Sequence, residues 1–282
     1  MSKVAAQTHK IKPIAYLGPE GTFSQAAVLK QFGHDVPLNG CASIDDVFME
    51  VEAGAADFGV VPVENSTEGA INNTQDCLVE SNVRIVGEVI VPIEQNLMLQ
   101  HNADITKIQT IASHSQSLAQ CRDWLSSNWA ETAQLECASN AAAAKLASDD
   151  NTVAAIAGAV AADIYGLEIA EAQIQDQKHN STRFLVLANS TTQSSGSDKT
   201  SILIYTENKP GALFRVLEPF EMLQVSLTKI ETRPSKKEVW EYVFFIDFEG
   251  HVDDEVIQQL FTRLGHCSAE IKVLGSYPSA IA

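Results

Sequence analysis

Asn180-Ser181-Thr182-Arg183-Phe184 places a hydroxyl, a fixed cation and an aromatic face at the mouth of the apolar run Phe184 to Leu187. Arg offers a planar donor fork matched to carboxylates and stays charged at any working pH, while a Thr hydroxyl can donate to a neutral oxygen. That set suits a small anionic ring compound. The segment before it, residues 175–181, is polar, so Thr182 and Arg183 are expected where a loop enters a sheet. An ordinary strand start whose Arg pairs with a surface acid uses the same residue types, and the rest of the chain has to decide.

The elements that would position these residues repeat one unit: a short apolar strand, a loop of Ser, Thr, Asn and Gly, then a helix. Ile14 to Leu17 leads through residues 18–24 into a helix ending at Gln31, and Phe58 to Val63 leads through residues 64–69 into another. Thr110 to Ala112 leads through residues 113–117 to a helix from Leu118 to Leu125, and Leu135 to Ala138 leads through Ser139-Asn140 to an Ala-rich helix. Such alternation implies a largely parallel sheet covered by helices on both faces, with ligands at the carboxyl ends of its strands. Each loop ends in a residue able to cap a helix, and several helix N-termini converging on one crevice would hold carboxylates with few Lys or Arg. Capping alone also explains each loop taken singly.

The chain has 282 residues, enough for one or two domains. Its 19 Lys and Arg against 36 Asp and Glu leave a formal charge of −17, which opposes nucleic acid and anionic membranes as partners. An anionic ligand therefore needs local positive potential. The five cysteines are scattered without a C-x-x-C pair, as in a reduced cytoplasmic protein, and no apolar run approaches the ~20 residues of a membrane span. No two His stand at metal-ligand spacing, so no metal is expected.

Residues 189–198 contain no apolar side chain and read as a flexible linker. The expected partition is a first domain over 13–188, a linker over 189–199 and a second domain over 200–279. The second has strands at Thr200 to Thr206, Val225 to Arg233, Val239 to Phe248 and Ala269 to Tyr277, with helices at Gly211 to Met222 and Asp253 to Leu264. That order, βαββαβ, is the ferredoxin-like split βαβ. It holds no catalytic constellation and suits ligand sensing or pairing.

Several blocks together resemble the prephenate dehydratases: residues 18–24, Val61-Pro62-Val63-Glu64-Asn65-Ser66, Ser113 to Cys121, and Asn180 to Phe184. The second domain resembles the ACT regulatory domain of that family through Asn208 to Leu213, Leu227 to Pro234 and Phe245 to His251. The resemblance implies decarboxylative dehydration of prephenate to phenylpyruvate in phenylalanine biosynthesis, with feedback by L-phenylalanine. It also implies a catalytic domain of two α/β lobes, like a type II periplasmic binding protein, with the site between them. The driving force of that reaction is aromatisation, so the enzyme need only orient the dianion and protonate a leaving hydroxyl, and no cofactor is expected.

By this resemblance Thr182 donates to the departing hydroxyl. Thr alone is too weak an acid to give up a full proton, so Glu64 is expected as proton source, a carboxyl in a closed cleft being one that can stay protonated. His114 is the substitute, although a lone His before a helix ordinarily serves as a structural group. Substrate contacts are expected from Thr22, Asn65, Ser66, His114, Gln116, Ser117, Asn180, Arg183 and Phe184. If the chain is strictly extended from Ser181, however, Thr182 and Arg183 point to opposite faces. Effector contacts are expected from Gly211, Ala212, Leu213, Ser226, Leu227, Thr228 and Glu231, at an interface between ACT domains paired in a homodimer or homotetramer.

Four positions depart from the family pattern. Ser115 stands where Pro is usual, Gln224 where Gly is usual, Ser226 where Asn is usual, and Thr232 where Ser is usual. Ser226 bears on effector affinity, since Ser reaches less far than Asn. No helical chorismate mutase segment precedes residue 13, so a monofunctional enzyme is expected. Arogenate, with an amino group in place of the keto group, is the nearest rival substrate. A non-enzymatic protein sensing an amino acid or carboxylate is the rival of another class.

Overall fold

In the computed structural model, which describes residues 12–206, 209–234, 242–267 and 270–280, the apolar runs become the strands of three sheets. The first eleven residues, Asn208 of the turn motif, the expected strand start at Val239 and Ala269 lie outside the described residues.

A first lobe holds β1 (Ile14–Leu17), α1 (Phe23–Phe32), β2 (Leu38–Cys41), α2 (Ile44–Glu52), β3 (Phe58–Asn65), β4 (Gly69–Ala70), α3 (Asn72–Glu80) and β5 (Arg84–Pro92). The chain crosses to a second lobe of β6 (Asn96–Gln100), β7 (Thr110–His114), α4 (Ser115–Gln120), α5 (Arg122–Asn128), β8 (Ala133–Cys137), α6 (Asn140–Asp149), β9 (Val153–Ala157), α7 (Ala159–Tyr165) and β10 (Leu167–Glu171). It returns to the first lobe as β11 (Ser181–Ala188). Then follow β12 (Asp198–Tyr205), α8 (Ala212–Met222), β13 (Leu227–Pro234), β14 (Tyr242–Glu249), α9 (Glu255–Leu264) and β15 (Glu270–Pro278).

The first sheet runs β2-β1-β3-β11-β5, with β4 added beside β3, and the second runs β10-β6-β9-β7-β8. Neither is largely parallel. The pairs β1–β2, β1–β3, β7–β8 and β7–β9 are parallel, but β11 lies antiparallel to both β3 and β5, and β6 antiparallel to β9 and β10. The mixture arises because the chain passes between the lobes twice, and each returning strand enters against its neighbours. The helix expected from Leu118 to Leu125 is two helices, α4 and α5, that meet at Cys121.

The third sheet, β13-β14-β12-β15, with α8 and α9 gives the βαββαβ order expected. Alternation along its strands serves two cores. Ile202, Ile204, Phe244, Ile246 and Phe248 face Val216, Phe220, Ile257 and Leu260 of the helices. Leu203, Tyr205, Val243, Phe245 and Tyr277 face the first lobe and share a core with Val63, Leu78, Ile85 and Leu185. The approach is close enough that Gly275 of β15 has no room for a Cβ against the backbone of Ile85.

The polar stretch after β11, expected as a flexible linker, carries hydrogen bonds at both ends. Asn189 Nδ2 donates to Val51 O at 2.6 Å, and the Asp198 carboxylate accepts from Ser195 N at 2.8 Å, Ser195 Oγ at 2.7 Å and Gly196 N at 3.0 Å. Polar side chains of the stretch thus serve hydrogen bonds at its two ends.

Candidate active site

Between the two lobes lies a cavity of about 640 Å³, into which β11 brings Thr182 and Phe184 on one face. Thr182 is 7% exposed, and its Oγ1 accepts a hydrogen bond from Asn65 Nδ2 at 2.9 Å across the β3–β11 register. The same Nδ2 donates to Asn180 Oδ1 at 2.9 Å. The Asn65 amide is fixed in orientation, because its Oδ1 accepts from Thr67 N, Thr67 Oγ1 and Glu68 N at 3.0, 2.7 and 3.2 Å. With that amide donating to the Thr182 oxygen, the donor capacity of the hydroxyl is left for a ligand.

Helix beginnings supply the rest of the first lobe's wall. Thr22 caps α1, accepting from Gln25 N and donating to Leu17 O at 3.2 Å, and Gly21 adopts φ 85°, where a side chain would strain the turn. From the second lobe come His114, Gln116 and Ser117 at the start of α4, and Ser139 and Asn140 at the start of α6. His114 Nδ1 accepts from Gln116 N at 3.3 Å, which puts the proton of a neutral ring on Nε2. Asn140 Oδ1 gathers Ser117 Oγ at 3.0 Å, Ser113 Oγ at 3.2 Å and His114 N at 3.3 Å. Gln95, 1% exposed, donates to Ser117 Oγ at 3.0 Å and to Gln120 Oε1 at 3.2 Å.

Gln95 was not expected, and Asn140 was expected only as a helix cap. Asn140 carried a signal, since it follows a strand just as the other three loops do. Gln95 carried none, because its importance comes from partners 22 to 45 positions away. Ser66 and Asn180 stand behind the wall: Ser66 Oγ accepts from Ser181 N at 3.0 Å, and Asn180 braces Asn65.

Two expected site residues point elsewhere. β11 is strand from Ser181 onward, so Arg183 faces away from Thr182, as alternation demands. Its Nε meets Glu88 at 2.6 Å and its Nη1 meets Asp247 at 2.6 Å. Glu64 likewise lies on the face opposite Asn65, 3.2 Å from Lys229 Nζ and 3.9 Å from Arg183 Nη1. Neither lines the cavity, so substrate binding by Arg183 and proton donation by Glu64 are both corrected by the side-chain direction of a strand. Among the described residues, the lining holds no Lys, Arg, Asp or Glu, and His114 is its titratable side chain. No group of three or more His, Cys, Asp or Glu among the described residues could hold a metal.

The expected effector residues divide. Gly211, Ala212 and Leu213 line a pocket of about 260 Å³ with Lys209, Tyr242 and Phe244. Ser226, Leu227 and Thr228 lie outside it, at the start of edge strand β13. Glu231 turns toward the first lobe, accepting from Gln75 Nε2 at 2.8 Å and pairing with Lys229 at 3.3 Å. It therefore belongs to the contact between domains.

The family description "Prephenate dehydratase" matches residues 14–192, and "ACT domain" matches residues 200–266. A bifunctional chorismate mutase/prephenate dehydratase of Stutzerimonas stutzeri is 50% identical over 268 residues, covering 95% of this chain and 73% of the relative. A prephenate dehydratase of Methanocaldococcus jannaschii is 36% identical over 274 residues, 95% of this chain and 98% of the relative. The crystal structure of a prephenate dehydratase in complex with L-Phe from Arthrobacter aurescens superposes with a TM-score of 0.86 at 31% identity, covering 94% of this chain and 90% of that one.

Proposed function

The chain belongs to the prephenate dehydratase family, and on that premise we propose that Thr182 drives the loss of water and carbon dioxide from prephenate to give phenylpyruvate, under control by L-phenylalanine. The observation that carries the role of Thr182 is its hydroxyl at the cavity wall, whose oxygen accepts from Asn65 and whose donor capacity is thereby left for a ligand.

The electrons of the bond between the ring and its carboxylate flow into the ring as carbon dioxide leaves. The hydroxyl at the opposite carbon departs, takes up a proton and becomes water. Thr182 donates a hydrogen bond to that hydroxyl, and His114 Nε2–H, the ionisable donor on the wall, replaces Glu64 as the candidate for supplying or relaying the proton. Placement of the dianion rests on fixed dipoles, since the wall carries no Lys or Arg among the described residues. The ten-residue helices α1 and α6 begin at the cavity, where their first N–H groups and partial positive charge favour carboxylates. Thr22, Gln116, Ser117 and Asn140 add neutral donors, and Phe184 packs at the wall.

We assign catalysis to residues 13–188, joined through 189–199 to phenylalanine control in 200–279. Two copies pair through their ACT domains, each placing its Ser226, Leu227 and Thr228 against the Gly211 to Leu213 pocket of the other. Support for pairing comes from Phe214, Met222 and Ile230, which are 67%, 55% and 45% exposed on that domain. Five unpaired cysteines suit a reducing compartment, and we place the protein in the cytoplasm.

The test is phenylpyruvate formation from prephenate at neutral pH, with and without phenylalanine and corrected for the spontaneous reaction. Turnover that phenylalanine alters supports both halves of the reading. No turnover of prephenate, with arogenate converted to phenylalanine, overturns the substrate. Neither reaction leaves binding without catalysis as the activity.

A further inference from the structure

Strand β11 carries Thr182 on the cavity side and Arg183 on the side of the regulatory sheet, and β3 does the same with Asn65 and Glu64. The two sites are one backbone apart. Arg183 donates through Nε to Glu88 at 2.6 Å, through Nη1 to Asp247 at 2.6 Å and through Nη2 to the Tyr277 hydroxyl at 2.9 Å. Glu88 is on β5, whereas Asp247 and Tyr277 are on β14 and β15 of the regulatory sheet. Burial opposes the guanidinium charge, and Asp247, Tyr277 and Glu88 more than offset it. Five residues back along β14, Tyr242 lines the regulatory pocket, and Phe244 does so as well.

We propose that Arg183 is a positioning residue for the reaction at Thr182 and the joint through which the regulatory pocket acts on it, an inference that rests on the phenylalanine control proposed above. Two pairings lie within reach of one nitrogen: Nη1 stands 2.6 Å from Asp247 and 3.9 Å from Glu64, a carboxylate of the catalytic lobe. A cavity of about 20 Å³ beside Arg183, bounded by Gln75, Ser201, Lys229 and Asp247, leaves space for the exchange. A shift of β14 that draws Asp247 away transfers Nη1 to Glu64. Because Glu64 precedes Asn65 and Arg183 follows Thr182, the new pairing pulls on both partners of the catalytic hydrogen bond. A displacement of about 1 Å there is enough to cost up to ~100-fold in rate. An effector that favours one pairing over the other thereby controls turnover.

The test uses the full chain. Asp247→Asn keeps an acceptor for Nη1 but removes the charge that competes with Glu64. Phenylalanine binding by calorimetry should stay within about threefold of wild type, while the ratio of turnover without and with saturating phenylalanine falls to about one. Arg183→Lys presents one ammonium where three partners need a fork, and should lower kcat about tenfold with KM within about threefold; kcat is expressed per folded molecule, with the folded fraction measured by circular dichroism, because loss of active enzyme alone also lowers apparent kcat at constant KM. Arg84→Met is the control. It removes a hydrogen bond to Val273 O across the same interface, at the far end of β5 beside Ala188, and should leave kcat and the phenylalanine ratio unchanged.

Asp247→Asn with the wild-type ratio overturns the proposal, and so does Arg84→Met reproducing its effects. Should Arg183→Lys fail to fold, Asp247→Asn decides alone. Absence of phenylpyruvate from the wild type is a failure of the dehydratase reading and is separate. In that case amide exchange over residues 181–188 on adding phenylalanine is the readout: a change in wild type that Asp247→Asn abolishes supports the joint, and no change in wild type overturns it.

Discussion

The two faces of β3 and β11 differ completely in chemistry. Toward the cavity they show Asn65, Thr182 and Phe184, with no Lys, Arg, Asp or Glu among the described lining residues. Toward the regulatory sheet they show Glu64 and Arg183, within a cluster that includes Glu88, Asp247, Lys199 and Lys229. Successive residues of one strand thus serve separate tasks. The cavity face, to which we assign the dianion, offers neutral donors and helix ends, which are fixed in place and need no counterion. The face that meets another domain uses charges, whose attraction depends on distance, so that their pairing responds to how the domains sit.

The sharpest way to break this contrast is to remove the cavity-side hydroxyl of Thr182, to which we assign the chemistry. Thr182→Ala should lower kcat at least about a hundredfold, roughly 2.7 kcal/mol of transition-state stabilisation. Phenylalanine binding should survive, since the 260 Å³ pocket is built from another domain. Thr182→Ser restores the hydroxyl and should recover most of the loss. Near wild-type turnover by the Ala variant would remove Thr182 from the mechanism.

On the charged face the matching change is Glu88→Gln. Glu88 accepts from Arg183 Nε at 2.6 Å, Lys199 Nζ at 2.8 Å and Ala280 N at 3.0 Å. Burial pushes its pKa up, but Arg183, Lys199 and the Ala280 N–H together hold it below the usual carboxylate range. The folded value therefore lies below the unfolded one near 4.3, so the contribution is complete above that pH and is lost as pH falls through the folded value. Glu88→Gln should cost about 2 kcal/mol at neutral pH, the scale of a lost charge-assisted hydrogen bond, with a smaller deficit in acid. Denaturant melts at several pH values measure this, and an equal deficit from pH 7 to pH 3 would contradict the assignment.

The regulatory βαββαβ unit was legible because its runs, such as Ile202 to Tyr205 and Val243 to Phe248, are apolar at nearly every position. Such runs fit strands buried on both faces, here by helices on one side and the first lobe on the other. The loops that begin helices were legible from their capping residues. The start of β11 was not, because Ser181, Thr182 and Arg183 are polar and yet paired, with their hydrogen bonds coming from Ser66, Asn65 and Glu88 far along the chain. The same blindness covers Asn189 and Thr192 in the stretch read as a flexible linker, whose partners Val51 O and Ser276 O lie 138 and 84 positions away. Glu64 was misassigned for a different reason: sequence showed a carboxylate beside Asn65, but only the extent of β3 decides which of two neighbours faces the cavity.

The smallest effect separates the faces most cleanly. Glu64 is 38% exposed and its pairs, at 3.2 Å to Lys229 and 3.9 Å to Arg183, are partly screened by solvent, so Glu64→Gln should change stability by less than about 1 kcal/mol. If Glu64 supplied the proton, the same change would lower kcat about a hundredfold or more, the usual scale for losing a general acid. Facing Arg183 and not the cavity, it should instead leave kcat without phenylalanine within about threefold, a change too small for loss of a proton donor. The response to phenylalanine should weaken about twofold or more, because the second pairing open to Arg183 has lost its charge. Steady-state turnover with and without phenylalanine distinguishes the cases directly. A collapse of basal kcat would return Glu64 to the chemistry, and an unchanged phenylalanine response would mean that Arg183 has only one partner to choose.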